Sequence, residues 1–126
     1  MRKVKGRLKF SGGKNRGAAK RLLEVLGVDE KSIAQLYVMT ANIPEEGVDK
    51  FDEYESHVLP LLSEHGARLE RRLQSPDRLH EVHIIWFPSS ESFENYRTDS
   101  RRSQYTYLLV ESGAVIELRI MSELKE

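Results

Sequence analysis

The run Val58-Leu59-Pro60-Leu61-Leu62-Ser63-Glu64-His65-Gly66-Ala67-Arg68-Leu69 holds the end of a helix, a stop and the start of a strand. Upstream of it, residues 48–65 have helical spacing through Phe51, Tyr54, Val58, Leu61 and Leu62. Asp49, Asp52, Glu53 and Glu55 crowd the first turns, where negative charge suits exposed amides, so they read as surface charges and not as paired catalytic carboxylates. Pro60 should bend or split the helix because it lacks a donor and crowds the preceding turn. Gly66 closes it. Downstream, Ala67, Leu69, Arg71 and Leu73 alternate with Arg68, Glu70, Arg72 and Gln74, the pattern of a strand whose apolar side is interrupted by Arg71.

Outward from this centre the elements repeat. Ser75-Pro76-Asp77 marks a turn, and residues 80–87 form a strand whose centre, Val82 to Phe87, is too apolar to face water on either side. Ser89 or Ser90 caps a helix with Phe93 and Tyr96 as buried positions, Thr98-Asp99-Ser100 breaks it, and residues 101–111 resume it with Tyr105, Leu108 and Leu109 facing a core. Ser112-Gly113 stops that helix before a strand over 114–121, with Ala114, Ile116, Leu118 and Ile120 on one face and Val115, Glu117, Arg119 and Met121 on the other. On the other side, residues 33–41 make a strand that is apolar on both faces in its middle. The order from Ile33 is strand, helix, strand, strand, helix, strand. This predicts an α+β, ferredoxin-like βαββαβ domain over 33–122, with a four-stranded antiparallel sheet and both helices on one face. Residues 1–32 are a basic extension, with a short edge strand or extended arm over 1–10, a glycine-rich break and a short helix over 18–26. Residues 123–126 are a tail.

One sheet face is left without a helix. If Leu36, Val38, Leu69, Val82, Ile84, Trp86, Ile116, Leu118 and Ile120 meet the helices, then Tyr37, Met39, His83, Ile85, Phe87, Val115 and Met121 need another cover, and a second subunit supplies it. A single bulge would alter the face assignment.

The chain from about Ile33 to Ile120 resembles the dimeric alpha-beta barrel superfamily, and most of all a small family of uncharacterised bacterial proteins within it, related at fold level to antibiotic-biosynthesis-type monooxygenases. The resemblance rests on Tyr54 with the run from Val58 to Leu69, on Phe87-Pro88-Ser89 leading into Phe93 and Tyr96, and on Tyr105 after the break. It implies a homodimer and a small organic ligand converted without a cofactor. A haem is known in some members of the superfamily, but one histidine does not identify it here.

Composition sets outer bounds. The chain has 126 residues, no cysteine, 20 Lys and Arg, and 20 Asp and Glu. That is one domain with no disulfide, thiolate or cysteine-bearing metal chemistry. No apolar run approaches the length of a membrane span, and no secretory leader is visible, so the expected setting is cytoplasmic. Charge is uneven: residues 1–31 carry 10 Lys and Arg against 3 Asp and Glu, and residues 32–126 carry 10 against 17. The basic segment is expected to lie on the chain's own acidic body or on a partner's. Nucleic acid is the weaker expectation, since Phe10 alone offers a stacking surface there.

Chemistry is sparsely signalled. His83, mid-strand on the face assigned to the barrel interior with Glu117 and Arg119, is the foremost acid/base candidate, against the plainer reading of a satisfied structural histidine. Tyr37 and Arg119 complete the catalytic candidates as orienting groups, and Glu117, Phe87, Met39 and Arg68 are candidate ligand contacts. Arg68, Arg71 and Arg72 form a basic cluster suited to an anion or to ion pairs with the acidic helix. The four histidines have no metal-ligand spacing, so no metal and no cofactor is expected. The function expected is binding or conversion of a small organic molecule in a cavity between sheet and helices. A non-enzymatic structural or regulatory dimer is the alternative, and whether the chain is an enzyme stays open at the level of sequence.

Overall fold

Pro60 decides where the first long helix ends. The computed structural model describes residues 8–11, 25 and 33–125. There, helix α1 (Val48–Val58) passes into a 3-10 run over Leu59–His65. Pro60 has no N–H for the carbonyl four residues back, so the α pattern stops just before it and a tighter winding continues. Leu61 and Leu62 still reach the core. Gly66 ends the run at φ 72°, and the Ala67 N–H returns to the Leu62 carbonyl at 2.9 Å. Only glycine takes that left-handed conformation without a Cβ penalty.

The strands are β1 (Leu8–Ser11), β2 (Gln35–Asn42), β3 (Arg68–Gln74), β4 (His80–Phe87) and β5 (Val115–Met121), in the order β1-β5-β2-β4-β3. Strands β2 to β5 form the expected antiparallel sheet, and the fold is ferredoxin-like α+β. The backbone of β1 extends the sheet by pairing parallel with β5, Leu8 beside Ile116 and Phe10 beside Leu118. The first ten residues therefore contain the edge strand that was one of the two expectations. The other expectations for the N-terminal segment, including the glycine-rich break and the helix over 18–26 apart from Val25, lie outside the described residues. No helix of the described residues is long and apolar enough to cross a membrane.

Helix α2 (Ser90–Arg97) starts where the Ser89 hydroxyl accepts the Ser92 N–H at 3.0 Å, a side-chain cap. The stretch expected as one helix over 101–111 is two pieces, α3 (Ser100–Ser103) and α4 (Thr106–Ser112). Asp99 caps α3 by accepting the Arg101 N–H at 2.8 Å. Gly47, just before α1, lies so close to the end of α4 that a Cβ there would sit 1.8 Å from the Ser112 carbonyl oxygen. That contact lets α1 and α4 lie together against the sheet.

The expected faces of β2 and β4 are inverted. Tyr37, Met39 and Ala41 on β2 and His83, Ile85 and Phe87 on β4 are buried toward the helices, while Leu36, Val38, Val82, Ile84 and Trp86 lie half-buried on the outer face. Strand β5 falls as expected, with Ile116 and Leu118 inside and Val115 and Met121 outside. The register carries the reason: Met39 stands beside both Leu118 and His83, and directly opposed residues share a face. Apolar side chains on both faces of β2 and β4 hide this parity, and only β5, with Glu117 and Arg119 alternating against Ile116 and Leu118, shows it. The aromatic residues then fill the inner layer. Tyr37 stacks on Phe93 at 4.2 Å between centroids and meets Phe87 edge-on at 5.4 Å.

Strand β3 changes faces partway. Leu69 pairs with Ile85 and Arg71 with Ile84, so Glu70 is the extra residue of a bulge. Arg71 is not an interruption of the apolar side. Beyond the bulge it lies with Leu73 on the outer face, and Arg72 turns inward beside His83.

Candidate functional site

The side chain of His83 is almost wholly enclosed, at 2% exposure, and two carboxylates meet it. Its Nε2 lies 3.0 Å from Glu81 Oε1 and 3.1 Å from Glu55 Oε2. Glu81 reaches it because residues two apart on β4 share a face. Glu55 descends from α1, where it sits four residues after Phe51 and three before Val58, within the buried stripe of the helix. Glu55 is thus not the surface charge expected of it. The bulge in β3 delivers the fourth member: Arg72 Nη2 donates to Glu55 Oε1 at 3.0 Å, and its Nε lies 3.7 Å from Glu81 Oε1.

Two acceptors converging on one ring nitrogen settle which nitrogen holds the permanent hydrogen. Nε2 must be a donor, so Nδ1 is the atom that gains or loses a proton. Burial alone would lower the His83 pKa, but the hydrogen bonds and charges of Glu55 and Glu81 outweigh it, and the ring holds its proton above the ordinary histidine range. Burial lifts Glu55 above the usual carboxylate range despite His83. Burial also acts to raise Glu81, yet its bonds with His83 and Glu55 and the charge of Arg72 bring it below that range. Glu81 is therefore the standing anion of the group. Its Oε2 is buried without a hydrogen-bond partner.

Glu55 and His83 face a cavity of about 310 Å³ between the sheet and the helices. Its walls are mainly apolar, with Phe51, Val58, Ile85, Phe93, Leu109 and Leu118 among them. Tyr54, Tyr96 and Arg102 form a polar side. Arg102 Nη2 donates to the Tyr54 hydroxyl at 2.8 Å, and the guanidinium lies 4.6 Å above the Tyr96 ring. Tyr96 donates to the Val58 carbonyl at 3.1 Å. Burial raises both phenols, Tyr96 to about 12, so both keep their hydrogens near neutral pH.

Of the residues singled out in the sequence, His83, Tyr37, Phe87 and Met39 line this cavity. Tyr37 does so from the core and not from a face awaiting a partner, and its hydroxyl donates to Gln35 Oε1 at 2.5 Å. Glu117 and Arg119 do not join His83. They form an ion pair with each other on the outer face, because the parity of β2 and β4 is the reverse of that expected. Arg68 is also outside, with its guanidinium 4.2 Å from the Trp86 ring and 3.2 Å from Glu70. Sequence reasoning missed Glu81 and Arg102 and took Glu55 for a surface charge, while the pairing of Arg72 with the acidic helix was one of the two readings of its cluster. The helical spacing of Glu55 with Phe51 and Val58 was the available signal for its burial. Glu55, Glu81 and His83 each offer a ligand atom within 4.8 Å of the others, and are the residues that could hold a metal ion among those described.

The class defined by these features is a ferredoxin-like α+β protein with a cavity between sheet and helices. No protein-family model matches the chain, and no curated protein matches it by sequence. Among solved structures it is similar to a Bacteroides thetaiotaomicron protein provisionally named an antibiotic biosynthesis monooxygenase (TM-score 0.64, 10% identity, 74% of this chain and 91% of that one). It is similar also to SnoaB, a cofactor-independent oxygenase from Streptomyces nogalater (TM-score 0.61, 8% identity, 75% and 96%). A NIPSNAP family protein of unknown function from Agrobacterium tumefaciens matches at TM-score 0.59 and 16% identity, over 75% and 91%. These likenesses establish the shared fold.

Proposed function

We propose that the chain binds a small, largely apolar organic molecule in the cavity and moves a proton to or from it through His83. The observation that carries this reading is a buried imidazole, held by two carboxylates, at the wall of an otherwise apolar cavity of about 310 Å³. The carboxylates fix the ring's tautomer and direct proton exchange to Nδ1. SnoaB, similar in fold, is a cofactor-independent oxygenase, and this supports a site whose own side chains supply the proton chemistry. The working form is a homodimer in a cytoplasmic setting, a second copy covering the outer sheet face.

Binding of 2-naphthol tests the reading, because its fluorescence reports both capture and ionisation. The wild-type chain is expected to bind it saturably and to shift its ionisation downward in pH relative to water. His83→Gln keeps a donor toward the carboxylates, binds within about threefold, and leaves the bound naphthol to ionise as in water. Absence of saturable binding overturns the cavity reading, and equal ionisation in the two proteins overturns the role of His83.

A further inference from the structure

Arg102 is a cation at the cavity wall, set against the Tyr96 ring and with one donor unpaired. Its Nη1 donates to the Arg97 carbonyl at 3.2 Å and its Nη2 to the Tyr54 hydroxyl, while Nε is buried with no hydrogen-bond acceptor. No carboxylate of the described residues forms an ion pair with it, although the neighbouring Arg97 is answered by Glu94 at 2.8 Å and Arg101 by Glu64 and Asp99. A half-buried guanidinium at a cavity wall without a counter-ion favours an anionic ligand that supplies one. The Tyr54 hydroxyl accepts from Arg102 and so has its own hydrogen to give. Arg102 and Tyr54 both line the cavity, so the guanidinium and that hydroxyl form one hydrogen-bonded unit at its wall.

From this we infer that the ligand is a carboxylate, its anionic head taken by the Arg102 guanidinium and the Tyr54 hydroxyl and its apolar body lying among the aromatic and aliphatic walls. The inference rests on the cavity reading above and adds the ligand's chemical class. A carboxylate has the two oxygens and the charge that the two donors and the cation lack. Glu55 and His83 line the same cavity, so the body of such an acid shares it with the proton-handling group.

The test compares 2-naphthoate with 2-acetylnaphthalene, which has nearly the same shape and no charge. Calorimetric titration of the wild-type chain is expected to favour the carboxylate by about tenfold or more, the ratio falling to about one in Arg102→Met. Tyr54→Phe, which removes one donor and keeps the ring, lowers that ratio by about threefold or more and decides the matter should the Arg102 variant not fold. Equal binding of the two probes by the wild-type chain overturns the carboxylate inference and leaves the cavity reading intact. If neither probe binds, the cavity reading fails and the inference with it.

Discussion

Glu81 Oε1 and His83 Nε2 lie 3.0 Å apart on the inner face of one strand, a carboxylate–imidazole pair closed off from solvent by α1 and the sheet. Removing the charge from one side leaves the other buried without its partner. Glu81→Gln is therefore expected to destabilise the fold by about 2–4 kcal/mol in urea denaturation near neutral pH. Glu55→Gln should cost less than Glu81→Gln, because burial already disfavours the charged form of Glu55 whereas Glu81 is the standing anion. Equal losses in the two variants would contradict the assignment of Glu81 as the anion.

The same group shapes stability against pH. Glu81 is depressed in the folded chain, so its contribution is present above the ordinary value of 4.5 and is lost as pH falls through its lower folded value. His83 is raised, so its contribution is full below 6.5 and is lost as pH rises through its folded value. Glu55, also raised, adds to the decline on the alkaline side from 4.5 upward. Asp99, held well below its usual range by Arg101 and His65, adds to the acid limb. Melting temperatures across roughly pH 3–9 should fall at both ends; His83→Gln should remove the loss that sets in above 6.5 and also weaken the acid limb, because His83 is one of the groups that lower Glu81.

Two glycines separate a steric demand from a conformational one. Gly47→Ala drives a methyl into the Ser112 carbonyl and is expected to cost about 3 kcal/mol or more, since backbone on both sides must move. At Gly66 an added Cβ meets nothing closer than the Pro88 ring at 3.5 Å, and the expected cost of Gly66→Ala is the left-handed backbone alone, about 1–2 kcal/mol. Thermal denaturation of the two variants checks the order.

The outer face of the sheet carries Leu36, Val38, Val82, Ile84 and Trp86 in a half-buried row, with Met121 exposed beside them. If a second copy covers this row, as proposed, sedimentation velocity at tens of micromolar should show a dimer. Val38→Asp should then yield a folded monomer with unchanged circular dichroism. A monomeric wild-type chain would remove the second copy from the proposal.

Element order was readable because the punctuation of the sequence is physical. Pro60, Gly66, Ser89 and Gly113 act through a missing donor, left-handed backbone or a capping hydroxyl, and each acts where it stands in the chain. Which side of β2 and β4 meets the helices was not readable. Both sides of each strand are apolar, and the choice is made across the sheet by pairing with β5 and by the fit of Tyr37, Phe87 and Phe93. The site followed the same division. His83 was visible as a polar residue in an apolar strand, whereas Glu55 was concealed by acidic neighbours and Arg72 by a bulge that has no letter of its own. Arg102 gained its place only through the break between α2 and α4.

The extra residue at Glu70 works like a frameshift in a reading frame of two. Everything in β3 after it is transposed between the sheet's two sides, which hands Arg72 to Glu55 and Glu81 and sends Leu73 outward. Deleting that single residue would remove the bulge and leave Arg71 opposite Ile84 and Arg72 opposite His83, so the strand would alternate strictly with the same guanidinium facing inward. On an edge strand the backbone can absorb such a loss, so the chain would keep both its architecture and the counterweight to its acidic pair.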